Sequence, residues 1–172
     1  EMRGTEEDLL RLRHVRRIAT AMEVIDKLRS GEALDASSAS FELSNFCKVW
    51  IANADEKYLP LEARPLQPSA PVCGSVELTD MIIDNLISNA NRYRHPEDAP
   101  IILETDAEGG FGIVRVINPG SPIPDDRIPY IFALNYSDGP KRTKQNKGIG
   151  LFISRHYAEL MNGTLDVLPS TS

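Results

Sequence analysis

Cysteine occurs only twice in the chain, at Cys47 and Cys73, with neither metal-ligand spacing nor the density of a disulfide scaffold. Two lone cysteines of this kind read as buried free thiols in a reducing compartment. Long apolar runs are missing too. Nothing approaches the ~20 residues that a membrane span needs, and the opening EMRGTEEDLL lacks the pattern of a secretion signal. The residues present therefore read as soluble and cytoplasmic. Because the first of them is Glu1, the expectation is a fragment of something longer, with a membrane anchor upstream left open. A basic excess is also lacking: the formal net charge is -6, which argues against a general nucleic-acid binder.

What is present can bury one substantial core, since 41% of the 172 residues are hydrophobic. Residues 5 to about 29 read as one long helix. Val15, Ile18, Met22 and Ile25 recur in the a/d rhythm of a helix that packs on other helices, including those of a second copy. SGEALDASSAS has the composition of a linker. FELSNFCKVWIANADEKY predicts a helix with Leu43, Phe46, Cys47, Trp50, Ile51 and Ala54 on one side. The prolines at 60, 65, 68 and 71 leave room only for a short strand and loop.

Val76 to Tyr93 is helical by pattern, and PIILETDAEGGFGIVRVINPG predicts a hairpin turning at Gly109 and Gly110. DDRIPYIFALNY reads as a short helix or turn, and LFISRHYAELMNG as an amphipathic helix ended by Asn162 and Gly163. TLDV then starts another strand. Helices and antiparallel strands without regular βαβ alternation predict an α+β protein, a two-layer sandwich in which helices cover one face of a mixed sheet. The division expected is a helix at 1–30 and a globular domain at 31–172.

Three stretches carry chemistry. In DNLISNANRYR, Asn85 and Asn89 stand four apart on one helix face, with Arg92 and Tyr93 a turn further on. Asn is a mediocre helix former, so its presence asks for a reason. An amide oxygen can ligate Mg²⁺ without adding negative charge beside phosphates, and Mg²⁺ keeps much of its shell as water and phosphate oxygens. In VRVINPGSPIP a strand runs into a turn, where Asn118 ends the strand, Gly120 lets backbone approach a flat ligand and Ile123 offers an apolar wall. Alone, this is an ordinary turn. In NKGIGLFISRHYAEL, Gly148 and Gly150 precede a helix whose free N–H groups can hold a phosphate. Just before it, DGPKRTKQNKG sets Lys141, Arg142, Lys144 and Lys147 against the single acid Asp138, a positive loop on an acidic protein.

In this order the stretches resemble the ATP-binding domain of sensor histidine kinases, in the superfamily that includes type II topoisomerases, Hsp90 and the mismatch-repair ATPases. DNLISNANRY looks like the N box, NPGSPIP the first glycine box, IPYIFALNY the F box around Phe132, and GIGL the second glycine box. The resemblance runs from about Ser37 to Val167, and EVIDKLRSGEALD upstream looks like the end of the second dimerisation helix. It implies ATP and Mg²⁺ as ligands. Asn89 would ligate the metal, Asn85 would support the phosphates, Arg92 would reach them and Tyr93 would lie near the adenine. Asn118 would receive the adenine amino group with Gly120 and Ile123 beside it, and Phe132 of the F box would belong to the same nucleotide-binding set. Lys147, Gly148, Ile149, Gly150 and Leu151 would close on the triphosphate. The partners implied are the protein's own phosphoacceptor helices, a second copy in a homodimer and a response regulator.

The chain departs from the family pattern in places. The adenine-reading position, usually Asp, is Asn118, which still accepts a hydrogen bond but without charge assistance, a loss of about 1 kcal/mol. Pro122 and Asn146 stand where glycines are usual. Where the ATP hydrolases of the superfamily carry a Glu to activate water, this chain has Asn85, which cannot act as a general base. That favours a kinase over a motor. Of the three histidines, His14 is followed by VRRIA rather than an acidic residue and proline, and reads as a surface residue. His95 is expected either to contact phosphate or merely to end the helix before Pro96, and His156 lies on the last helix, so the acceptor histidine is expected outside the chain. Two other readings stay open: a nucleotide-sensing module that transfers nothing, and a serine kinase of the anti-sigma-factor type. The long a/d helix counts against the second.

Overall fold

The computed structural model describes residues 39–54, 60–65, 71–94, 99–136 and 148–168, together with positions 15, 19, 20, 22, 23, 26, 27 and 30. The chain divides into two compact units, Glu1–Asp35 and Ala36–Ser172.

In the first unit every described position is helical. Lys27 Nζ meets Glu23 Oε1 at 2.7 Å one turn earlier, the i,i+4 pair that supports an exposed helix. Of the a/d series, Val15 and Met22 are 62% and 65% exposed. Ile18, Ile25 and His14 lie outside the described residues.

The second unit begins with strand β1 (Ala39–Glu42), helix α1 (Leu43–Ala52), strand β2 (Leu61–Pro65) and strand β3 (Pro71–Gly74). Helix α2 (Val76–Tyr93), the hairpin β4 (Ile101–Glu108) and β5 (Phe111–Ile117), a 3-10 turn at Ile128–Tyr130 and helix α3 (Gly150–Leu160) follow. Helix α2 starts where the sequence dictates: Ser75 Oγ accepts from the Leu78 N–H at 3.2 Å, Glu77 sits in the first turn and Arg92 in the last, both placed favourably for the helix dipole. Helix α1 is stopped by Asn53, whose Nδ2 donates to the Val49 carbonyl at 2.7 Å. Ala54 therefore falls beyond it.

The described strands form two sheets rather than the single one expected: β1 with β3, antiparallel, and the mixed sheet β2-β4-β5. In the latter β2 runs parallel to β4, and β4 antiparallel to β5. Pro65 is tolerated because β2 is an edge strand. Opposed residues share a face, so Ile101, Leu103 and Thr105 of β4 look the same way as Leu61 and Ala63 of β2 and Val116 and Val114 of β5. That face meets the helices. Ile101 and Leu103 join Leu43 and Cys47 of α1 and Ile83, Ile87 and Ala90 of α2 in one core, each large aliphatic side chain stabilising by about 2 kcal/mol on burial. The other face is charged: Arg115 Nη1 reaches Glu104 Oε1 at 3.1 Å and Asp106 Oδ2 at 3.2 Å.

Three local expectations are corrected. Ala39–Glu42, assigned to linker and helix by composition, is a strand, because Phe41 pairs with Val72 and stacks edge-on against Phe46 at 5.6 Å. Tertiary pairing outweighs local propensity there. Cys73 is exposed, unlike Cys47, since strand alternation gives the inward place on β3 to Val72. TLDV is no strand: the Leu165 carbonyl, which a ladder would use, accepts instead from Arg155 Nε and Nη2 at 3.2 and 3.0 Å. Among the described residues no helix is long and apolar enough to cross a membrane.

Candidate functional site

Helix α2 buries Met81, Ile83, Ile87 and Ala90, which leaves Asn85 and Asn89 half-buried at the margin of the core. The two amides differ in what they touch. Asn85 Nδ2 donates to Ser154 Oγ at 3.1 Å and lies 3.5 Å from the Gly150 carbonyl oxygen, so it bridges α2 to the first turns of α3. Asn89 has no side-chain hydrogen bond to any described residue. Among the described residues, its amide is unspent.

The start of α3 completes this region. Gly148 has φ +62, and a Cβ there would meet the Tyr136 carbonyl oxygen at 2.2 Å. Only glycine supplies both the left-handed backbone and the clearance. Ile149, the N-cap, makes no side-chain capping bond, and the first turn of α3 carries no acid. The Ile149 side chain thus leaves the first N–H groups and the positive dipole end uncapped, as an anion site requires. Gly150 faces α2 closely, with Asn85 Oδ1 3.7 Å from where its Cβ would be. Ile149 and Leu151 on either side are half-buried.

After β5, Asn118 Oδ1 accepts from the Gly120 N–H at 3.3 Å, a local turn that fixes the amide and leaves its oxygen a second lone pair. A Cβ on Gly120 would meet the Tyr93 carbonyl oxygen at 2.4 Å. The close approach that this glycine permits is therefore to the C-terminal end of α2, not only to a ligand. Tyr93 is 48% exposed and Ile123 42% exposed, and Arg92 is exposed on the last turn of α2. Phe132 is buried, with the Arg155 guanidinium 3.7 Å above its ring centroid. Its ring is held against α3 by a cation–π contact. Lys147 and the other cations of the positive loop lie outside the described residues, as does His95.

The structure thus gathers Asn85 with Gly150, and Asn118 and Gly120 with Tyr93, while Phe132 belongs to a separate contact with Arg155. Sequence reasoning missed Ser154 and Arg155. Ser154 is 0% exposed, a polar residue inside the apolar stripe of Ile153, Tyr157 and Ala158. That misfit was the available signal, since a buried hydroxyl needs a partner. Arg155 ties three segments together, adding the Asp166 carboxylate at 3.4 Å to Phe132 and Leu165. Among the described residues no group of three His, Cys, Asp or Glu could hold a metal ion. The donor set that fits Mg²⁺ is instead one neutral amide oxygen, with the remaining positions left to water and phosphate.

A family model described as histidine kinase-, DNA gyrase B-, and HSP90-like ATPase matches residues 74–172. The probable sensor kinase SilS of Salmonella typhimurium is 32% identical over 96 residues, 55% of this chain and 19% of that protein. The sensor protein SrrB of Staphylococcus aureus is 33% identical over 90 residues, 51% of this chain and 15% of that protein. The chain therefore spans less than a fifth of the length of these relatives. Among solved structures, the Acinetobacter baumannii histidine kinase AdeS superposes with a TM-score of 0.64 at 14% identity, covering 88% of this chain and 70% of that one. Full-length ShkA in complex with AMPPNP gives 0.60 at 20% identity, covering 81% of this chain and 30% of that one. At such identities the likeness is one of fold, and it agrees with the helix-covered mixed sheet. With more than half of its length matched by the family model, the chain belongs to the histidine kinase-, DNA gyrase B- and HSP90-like ATPase family.

Proposed function

We propose that this chain is the ATP-binding catalytic part of a two-component sensor histidine kinase, which binds Mg-ATP and passes the γ-phosphate to a histidine on a helical dimerisation domain. The observation that carries the reading is the unspent amide of Asn89 on the same helix face as Asn85. In this reading Asn89 would hold a magnesium ion through its side-chain oxygen, and the ion would supply charge neutralisation at the phosphates. Asn85 orients the adjoining α3 turn, where Gly148, Ile149, Gly150 and Leu151 present backbone N–H groups to the phosphates, with Arg92 and Lys147 supplying positive charge. Asn118 accepts the adenine amino group through its second lone pair, beside Gly120, Ile123 and Tyr93.

Two further features support transfer rather than hydrolysis. Asn85 carries no basic oxygen and its nitrogen is engaged by Ser154, so water attack at that position has no general base. The work left to the protein is positioning and charge neutralisation. The exposed Val15 and Met22 of the N-terminal helix suit a homodimeric bundle carrying the acceptor, on the cytoplasmic side of a sensor that signals to a response regulator.

Titration of the chain with a fluorescent ATP analogue, with and without Mg²⁺, tests the site. Magnesium-dependent binding that is lost in Asn89→Ala supports it. Equal binding by both proteins rejects the metal assignment, and no binding by either points to a silent interaction module. Acid-labile phosphate on the natural gene product then separates kinase from nucleotide sensor.

A further inference from the structure

We infer that Ser154 is a positioning residue for nucleotide binding, acting through Asn85; the inference rests on the reading of the site proposed above. Ser154 is fully buried on α3 and its hydroxyl oxygen receives the Asn85 amide nitrogen at 3.1 Å. The same nitrogen lies 3.5 Å from the carbonyl oxygen of Gly150, a group that can only accept. Together these two partners hold the amide: its nitrogen is fixed by Ser154 and the Gly150 carbonyl, while its oxygen lies 3.7 Å from where a Cβ on Gly150 would be. Reversing the amide would set oxygen against the Gly150 carbonyl, two acceptors without a proton between them. The bridge therefore sets the orientation of the Asn85 amide against α3.

The bridge also joins two parts of the site that sequence leaves far apart. Gly150 opens α3 beside Gly148, whose backbone is left-handed, and Asn85 lies one turn before Asn89 on α2. A rigid contact at Ser154 holds the uncapped start of α3 in register with the metal-binding turn of α2. Losing it lets the first turn of α3 shift relative to Asn89 without unfolding either helix, because the apolar contacts of Ile153, Tyr157 and Ala158 remain. Alanine at 154 is smaller than serine and introduces no clash, so the variant should fold.

The test is a double-mutant cycle on the chain, read by affinity for a fluorescent ATP analogue with Mg²⁺ and, in parallel, by melting temperature. Ser154→Ala is expected to weaken binding by roughly fivefold, the loss of one net hydrogen bond, and to add no further weakening in an Asn85→Ala background. Ser154→Cys, with a poorer acceptor of similar shape, should fall between. Unchanged affinity in Ser154→Ala overturns the inference while leaving the proposed site intact. So does additive weakening in the double variant, which would mean that the serine acts independently of Asn85. Failure of the unmodified chain to bind the analogue overturns the proposed site, and this inference with it.

Discussion

Asn85 and Asn89 lie one turn apart on the same face of α2, and the protein uses them differently. The turn at Asn85 is built into the structure, its amide nitrogen tied to Ser154 at 3.1 Å. The turn at Asn89 has no such tie among the described residues. The same residue type therefore serves as a brace at one position and as an open donor set at the next. What differs is the element opposite: α3 faces Asn85 through Gly150, which has no Cβ to fill the space. The contrast teaches that an amide in a site helix has to be judged by its partner rather than by its spacing.

The largest effect is expected between the two turns, on the side facing the core. Ile87 is 0% exposed, so Ile87→Ala should lower stability by about 2–5 kcal/mol, measured by urea unfolding, and degrade both turns alike. A change below about 1 kcal/mol would mean that the core is not what holds α2. Next comes Asn85→Asp, which places a carboxylate oxygen against the Gly150 carbonyl and should cost about 1–3 kcal/mol. If this variant melts with the unmodified chain, the brace is not reading an amide.

Asn89→Ala sharpens the contrast in the opposite sense. Stability should change by no more than about 0.5 kcal/mol, while magnesium-dependent nucleotide affinity falls at least about tenfold. A stability loss equal to that of Asn85→Asp would erase the distinction.

The smallest effect lies on the outer face of the sheet. The Ala107 N–H and then Arg115 hold the Asp106 carboxyl below its ordinary range. A depressed carboxylate contributes stability above its unfolded pKa near 4 and loses it as pH falls through the folded value. Asp106→Asn should therefore lower stability slightly at neutral pH, with the difference from the unmodified chain vanishing as pH falls through the folded pKa, as urea unfolding across that range would read. The effect is small because the ion pair lies at the protein surface, where solvent screens it. Buried Cys47 behaves oppositely: burial pushes its thiol up to about 12. Its neutral form costs nothing below the unfolded pKa near 8.5, and stability is lost as pH rises above it.

Much of the second unit was legible in the sequence because its signals are local. Ser75 caps α2, and Gly109 and Gly110, with φ of 60 and 87, turn the hairpin. Asn162 leaves α3 in the left-handed conformation at φ 57, and the Gly163 N–H closes the helix onto the Ala158 carbonyl at 2.8 Å. Strand β1 was not legible, since Ala39 and Ser40 have poor strand propensity and pair only because β3 is beside them. The TLDV segment misled for the converse reason: its composition suits a strand, but Arg155 takes its carbonyl.

The sequence by itself determined the α+β class and the order in which its helices, turns and polar residues follow one another, because periodicity, caps and turn glycines act over a few residues. Only the tertiary structure decided what those residues do for one another. The bridge from Asn85 to Ser154 spans two helices, and the seat of Phe132 under Arg155 joins a loop to a helix. A hydrogen bond or cation–π contact between segments so far apart in the chain depends on how the sheet and helices pack, and no local pattern encodes that distance.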